Sequence, residues 1–186
     1  LTFTTPPLSA DIEITGAPAL DLEVATTSDR GAIVATLEHV LADGSVAYLT
    51  EGFLNFGHRT VGQPDFGHDG PFWHSYRSAD LQPVRPNEPM RLQLELYPIS
   101  CILREGDCVR LTLAGADADN LIVPTIGDDA TLSVTLNGDR ASRLLLPIVH
   151  PDVAPTTTVI PDGFDQEEPG FAFRRASDPP FERPGG

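Results

Sequence analysis

The chain reads as an all-β protein, an antiparallel β-sandwich of jelly-roll type. Three observations predict it. Leu92, Leu94 and Leu96 alternate with Gln93, Glu95 and Tyr97, and Val109, Leu111 and Leu113 alternate with Arg110 and Thr112. Period two over both segments is the signature of half-buried strands. Amphipathic spacing of 3.6 residues over three turns is absent, which removes the crossover helices that a parallel sheet needs. The 16 glycines and 18 prolines among 186 residues suit a fold rich in turns.

In chain order, residues 1–5 form an opening strand stopped by Pro6-Pro7, and residues 11–15 a short alternating strand ended by Gly16. Residues 19–26 place Leu20, Leu22 and Val24 opposite Asp21 and Glu23. Residues 32–41 are a longer apolar strand. Asp43-Gly44 tolerates the positive φ of a tight turn, so residues 45–54 return antiparallel. Residues 55–87 lose the alternation and hold prolines, glycines, histidines and aromatics. They read as a long excursion with one short strand near 72–76. After a strand at 90–97, Pro98 breaks the ladder, Ile99, Ile102 and Leu103 make an apolar corner, and Glu105-Gly106-Asp107 turns into a strand at 108–114. Residues 115–120 are a polar turn and 121–126 a short strand. Residues 131–136 alternate, and Asn137-Gly138 folds them back on a closing strand at 142–149. The expectation is a sandwich domain over residues 1–149 and a Pro-rich acidic tail over 150–186. The tail lacks the apolar content for a core of its own, although Phe164, Phe171, Phe173 and Phe181 suit it to docking on a surface.

A formal net charge of −15 argues against nucleic acid and anionic membrane surfaces as partners, and no basic stripe offsets it. No apolar run is long enough to span a bilayer and no signal peptide is visible, so the expected compartment is cytoplasmic. The chain begins at Leu1 and its one methionine is Met90, which reads as a processed product or an excised domain. Cys101 and Cys108 flank the 105–107 turn. They are placed to pair across a hairpin, but two cysteines make no disulfide framework, and half-buried thiols in a reducing compartment are the preferred reading.

No reactive constellation emerges. A serine-hydrolase elbow needs Gly-x-Ser-x-Gly between a strand and a helix. The nearest string, Asp43-Gly44-Ser45-Val46-Ala47, does not have the pattern's glycines in place and belongs to a hairpin. His39, His58, His68, His74 and His150 show no paired zinc spacing. His58, His68, Asp69 and His74 share the excursion, so a metal site there is a minor alternative to local hydrogen bonding. Asp117, Asp119, Asn120, Asp128 and Asp129 offer oxygens for calcium, yet turns require the same residues. No catalytic residue, metal or cofactor is therefore assigned. The most suggestive feature is the aromatic set Phe66, Phe72, Trp73 and Tyr76, with Phe53 and Phe56 upstream. It fits a protein interface first, loop packing second and a platform for sugar rings third. The candidate interface residues are His58, Arg59, Phe66, Phe72, Trp73, His74 and Tyr76.

The order of motifs is more specific than any one of them. The opening LTFTTPPLSADIEITGAPALDLEV, with Thr15-Gly16-Ala17-Pro18, resembles the start of the C-terminal β domain in the Xaa-Pro dipeptidyl-peptidase and cocaine-esterase family of serine hydrolases. EGFLNFGHR resembles that family's Gly-x-Leu-x-x-x-His-Arg segment, through Gly52, Leu54, His58 and Arg59. Residues 89–113 look like its paired strands, through Tyr97, Pro98, Ser100, Gly106, Arg110 and Leu111, and SRLLLPIV is similar to its closing strand. Pro86-Asn87-Glu88 and Asp107-Cys108 depart from the pattern. The resemblance covers residues 1–149. It implies a galactose-binding-like jelly roll that packs on a preceding α/β-hydrolase domain, helps wall that domain's cleft and is available for homo-oligomer contacts. It carries over no catalytic residue, because in that family the reactive groups lie in the other domain. The alternative is a free-standing carbohydrate-binding module using Trp73 and Tyr76.

Overall fold

The computed structural model describes residues 1–68, 70–117 and 130–149. They hold eleven strands: β1 (Thr2–Thr4), β2 (Ile12–Gly16), β3 (Ala19–Thr26), β4 (Ala32–Val40), β5 (Val46–Asn55), β6 (Met90–Glu95), β7 (Ile99–Leu103), β8 (Cys108–Ala114), β9 (Leu132–Val134), β10 (Arg143–Leu145) and β11 (Ile148–Val149). Two single 3-10 turns, Phe56–His58 and Ser78–Asp80, are the helical content of the described residues. The described residues are all-β, and every pairing between their strands is antiparallel. The tail at 150–186, the strand expected at 121–126, and Asp69, Asp119, Asn120, Asp128 and Asp129 lie outside the described residues.

The strands hydrogen-bond into three sheets. The first runs β1-β8-β4-β5, the second β10-β3-β6 with β9 also on β3, and the third β11-β2-β7. One core joins them. The inward positions of β4 and β8 (Ile33, Ala35, Leu37, Val109, Leu111, Leu113) meet those of β3 and β6 (Leu20, Leu22, Val24, Leu92, Leu94), and Ile14 and Leu103 of the third sheet join the same cluster. On β6 and β8 burial and sequence period agree, whereas β4 buries the consecutive residues Ile33, Val34 and Ala35, and β3 also buries Glu23.

The third sheet corrects the apolar corner. Pro98 ends β6, but the chain resumes as β7 and pairs with β2 from Ile12↔Leu103 to Gly16↔Ile99. Ile102 is exposed while Leu103 is fully buried, the alternation of a strand and not of a corner. The Asn137-Gly138 hairpin is corrected too. β9 and β10 do not pair with each other: β9 lies along Val24 to Thr26 and β10 along Ala19 to Asp21 of the same β3 edge. They form one interrupted edge strand, and the 135–142 loop between them is closed by the Ser142 N–H donating to the Thr135 carbonyl at 2.9 Å. Pro147 then divides the expected closing strand into β10 and β11. The strand expected near 72–76 shrinks to a single bridge between Trp73 and Gly62.

The turn into β8 is held by a buried carboxylate. Asp107 Oδ2 lies 2.7 Å from His39 Nε2 on β4 and accepts from the Arg104 N–H at 2.9 Å, while Oδ1 accepts from the Ala42 N–H at 3.1 Å. This ties the β4–β5 hairpin to the β7–β8 turn. Cys101 and Cys108 are half-buried free thiols, and burial pushes the Cys101 thiol up.

Two predictions follow from this packing. Leu111→Ala should lower stability in urea denaturation by about 2–5 kcal/mol, the range for truncating a buried leucine; a loss under about 0.5 kcal/mol would place Leu111 on the surface. The His39 hydrogen bond, then the Arg104 and Ala42 N–H groups, hold the Asp107 carboxyl below its ordinary value near 3.8. A depressed acid stabilises the fold above its unfolded value and loses that contribution as pH falls through the folded one. Urea midpoints measured from pH 6 to pH 3 should therefore fall less steeply in Asp107→Asn than in the parent chain.

Candidate functional site

Strand β5 is an edge strand of the first sheet, and a bulge decides which of its side chains face out. Its register with β4 pairs Leu37 with Thr50 but Glu38 with Tyr48, so Leu49 is the extra residue. In an unbroken ladder Tyr48 would share the inward phase of Thr50, Gly52 and Leu54. The bulge turns it to the outer face with Glu51 and Phe53. Tyr48 is accordingly 60% exposed and Phe53 42%, while Thr50 and Leu54 are buried.

At Gly52 this strand meets the end of β6. A Cβ there would collide with the Glu95 carbonyl oxygen and stand 3.0 Å from the Leu96 Cα, so glycine permits the approach. The approach is secured on both sides: the Tyr97 N–H donates to the Glu51 carbonyl at 2.9 Å, and Thr50 Oγ1 donates to the Tyr97 carbonyl at 2.7 Å. Tyr97, just past β6, is thereby placed beside the outer face of β5, 59% exposed.

The excursion at 55–87 is fastened to the same place. Asn55 caps the first 3-10 turn by accepting from the Gly57 N–H at 2.9 Å. Arg59 donates to the carbonyls of Phe56 (2.9 Å), Gln82 (3.3 Å) and Pro83 (2.9 Å), clamping the two ends of the excursion together. Partial burial lowers its guanidinium from the ordinary value. The buried His74 ring sits between two carbonyls, with Nδ1 3.0 Å from Thr60 and Nε2 2.6 Å from Gln93 on β6. Glu95 Oε1 accepts from the Phe72 N–H at 2.6 Å and lies 3.1 Å from His68 Nε2.

These fastenings position Tyr76. Its φ is +52°, in the left-handed region that costs a residue with a Cβ about 1 kcal/mol or more. The strained backbone sets the Tyr76 ring between His58 and His74, with centroids 5.6 and 5.8 Å away. Across from it stand Phe53 and Tyr97, and these three rings with Gly52 and Glu95 line an open cleft of about 390 Å³. The chain has three tyrosines, and all three gather at this face. Partial burial first, then Tyr97 and Glu95, push the Tyr76 phenol up; burial, Glu51 and Tyr97 do the same for Tyr48. The cleft is thus walled by three aromatic rings.

Ring contacts divide the candidates chosen from sequence into two groups. His58, His74 and Tyr76 cluster at the cleft, and Phe66 stacks edge-on against Trp73 at 6.3 Å. Trp73 is half-buried against Gly62, whereas Phe66 is 60% exposed. Arg59 and His74 hold the excursion from within, and Phe72 contributes its backbone N–H. Tyr48, Glu95 and Tyr97 were missed. The outward phase of Glu95 and Tyr97 was legible in the alternation, but the bulge that exposes Tyr48 leaves no mark in composition. Ser45, in the string nearest to a nucleophile elbow, is at the exposed hairpin tip, where its Oγ donates to Asp43 Oδ1 at 2.6 Å and Gly44 has φ +85°. No three His, Cys, Asp or Glu among the described residues group as metal ligands.

The close approach predicts a sharp contrast between two glycines. Gly52→Ala should lower the urea midpoint by an amount worth about 1–3 kcal/mol, because backbone cannot move aside as a side chain can. Gly67→Ala, with nothing near its added Cβ, should leave it within about 0.5 kcal/mol. Equal midpoints for the two variants would contradict the packing described.

Comparison with known proteins agrees with this architecture. Two proteins named as serine esterases, one from Mycobacterium bovis and one from Mycobacterium tuberculosis, are each 36% identical to the chain over 154 residues, covering 81% of this chain and 24% of theirs. The chain spans about a quarter of the length of these relatives. A CocE/NonD family hydrolase from Staphylococcus aureus superposes with a TM-score of 0.66 at 19% identity, over 81% of this chain and 30% of that one. An α-amino acid ester hydrolase does so with 0.59 at 18%, over 80% and 25%. An aminopeptidase from a marine sediment Thaumarchaeota archaeon gives 0.63 at 16%, over 81% and 26%. At these identities the likeness is one of fold. Residues 1–145 match the family described as the X-Pro dipeptidyl-peptidase C-terminal non-catalytic domain, and the chain belongs to that family.

Proposed function

We propose that the chain is the non-catalytic accessory domain of a larger serine hydrolase, an esterase or a peptidase. In this reading it is a galactose-binding-like jelly roll that packs on an α/β-hydrolase domain and helps shape the substrate cleft there. The observation that carries the reading is the family match over residues 1–145, in relatives of which the matched region is 24%. The exposed face built from Tyr48, Phe53, Tyr76 and Tyr97 supports it, since contiguous exposed aromatics mark a surface made to be covered. On this account substrate chemistry belongs to the other domain, and this one contributes stiffness and a wall.

Two measurements test the proposal. The purified chain should not turn over p-nitrophenyl esters; turnover abolished by a serine-directed inhibitor would overturn it. Mixed with the α/β-hydrolase portion of its parent protein, the chain should form a complex that Tyr48→Asp combined with Phe53→Asp weakens at least about tenfold, as expected for charges placed among central aromatic contacts. Failure to form a complex, or a complex indifferent to both substitutions, would remove this face from the account.

A further inference from the structure

We propose that a second cleft, on the 55–87 excursion beside Trp73, binds one neutral pyranose ring. It holds about 340 Å³, at the small end of ligand sites, which begin near about 300 Å³. The sequence suggested Trp73 and Tyr76 as one platform. The structure separates them: Trp73 lines this cleft, and Tyr76 the one beside Phe53 and Tyr97. The chain's one tryptophan lies outside the core cluster and is seated on backbone. The Gly62 N–H donates to the Trp73 carbonyl at 2.9 Å, and a Cβ at residue 62 would stand 3.1 Å from the indole. Phe66 meets the indole edge-on, the two planes 82° apart. A large aromatic ring fixed in this way offers apolar surface to the C–H groups of a sugar.

The polar groups beside the indole are unengaged. Gln63, Asp65 and Arg77 line the cleft, and among the described residues their side chains make no hydrogen bond or ion pair. Arg30, Arg91 and Arg104 each take a carboxylate partner. Arg77 takes neither Asp65 nor Asp80, although both line the cleft with it. Asp80 is held by Ser75 instead, whose Oγ donates to Asp80 Oδ2 and accepts from the Arg77 N–H at 3.1 Å. A guanidinium, a carboxamide and carboxylate oxygens are therefore gathered at one aromatic wall. Ring hydroxyls both donate and accept, so a mixture of donors and acceptors matches them, and the parallel N–H groups of an arginine suit two neighbouring oxygens. Two carboxylates disfavour an anion, as does the chain's charge of −15, and the guanidinium disfavours a cation. The cleft shares no lining residue with the one beside Tyr76. The inference thus goes beyond the docking reading, and either can fail alone.

Because Trp73 is the one tryptophan, its fluorescence reports on this cleft without a label. The full chain is titrated, to tens of millimolar, with methyl pyranosides of gluco, manno and galacto configuration, and with tetrahydropyran, the same ring without hydroxyls. At least one glycoside should give a saturable change in emission, and tetrahydropyran should give none. Asp65 and Arg77 are exposed, so Asp65→Ala and Arg77→Leu leave the packing intact. Each should weaken glycoside binding at least about tenfold, the scale of one lost hydrogen bond to a charged group. No saturable change with any of the three glycosides overturns the proposal. So does an equal response to tetrahydropyran, or an affinity indifferent to both substitutions.

Discussion

A backbone carbonyl fills the space where a side chain of residue 52 would stand, and most of the outer architecture depends on that contact. Strand β5 can press against the end of β6 because Gly52 has no Cβ to meet the Glu95 carbonyl. The approach lets Glu51 and Thr50 hold Tyr97 by its N–H and carbonyl. It brings the first and second sheets together at one edge. It also puts Glu95 where its carboxylate can receive the returning excursion through Phe72 and His68. Remove the approach and the cleft loses a wall and its back at once.

The Gly-x-Leu-x-x-x-His-Arg string has a physical reading on these terms. Gly52 allows the contact. Leu54 is fully buried and anchors the strand in the core. His58 lends a ring face to Tyr76. Arg59 closes the excursion by donating to three carbonyls, a task for which its planar fork of donors is suited and a lysine is not. None of the four needs to touch a substrate to be required. A non-catalytic domain can thus carry a recognisable motif whose whole purpose is to seat a loop.

The sequence made the regular part of the fold legible. The leucine phases of β3, β6 and β8, and the Asp43-Gly44 turn between β4 and β5, are local signals; burial follows the alternation on β6 and β8, while on β3 Glu23 of the opposite phase is buried as well, paired with Arg140. What it concealed is non-local. Pro98 argued for an interruption, and only the pairing with β2 shows that the chain resumes as a strand. Asn137-Gly138 is a genuine turn signal, but the edge of β3 captured both flanking strands, so no hairpin formed. The candidate site divided in the same way. Tyr76 and the histidines were visible as a cluster in the excursion, whereas Tyr48 depends on a bulge and Tyr97 on the Gly52 contact, neither of which has a compositional trace.

The exposed aromatic face of Tyr48, Phe53, Tyr76 and Tyr97 is the surface on which the docking proposal turns. Because its only tyrosines are Tyr48, Tyr76 and Tyr97, that face carries its own chemical reporter. The most direct measurement is tyrosine-selective nitration, read by peptide mass spectrometry, of this chain alone and of the same chain joined to the α/β-hydrolase domain proposed as its partner. The account predicts modification of all three residues in the isolated chain and protection of all three in the joined protein. Equal modification in both would contradict it.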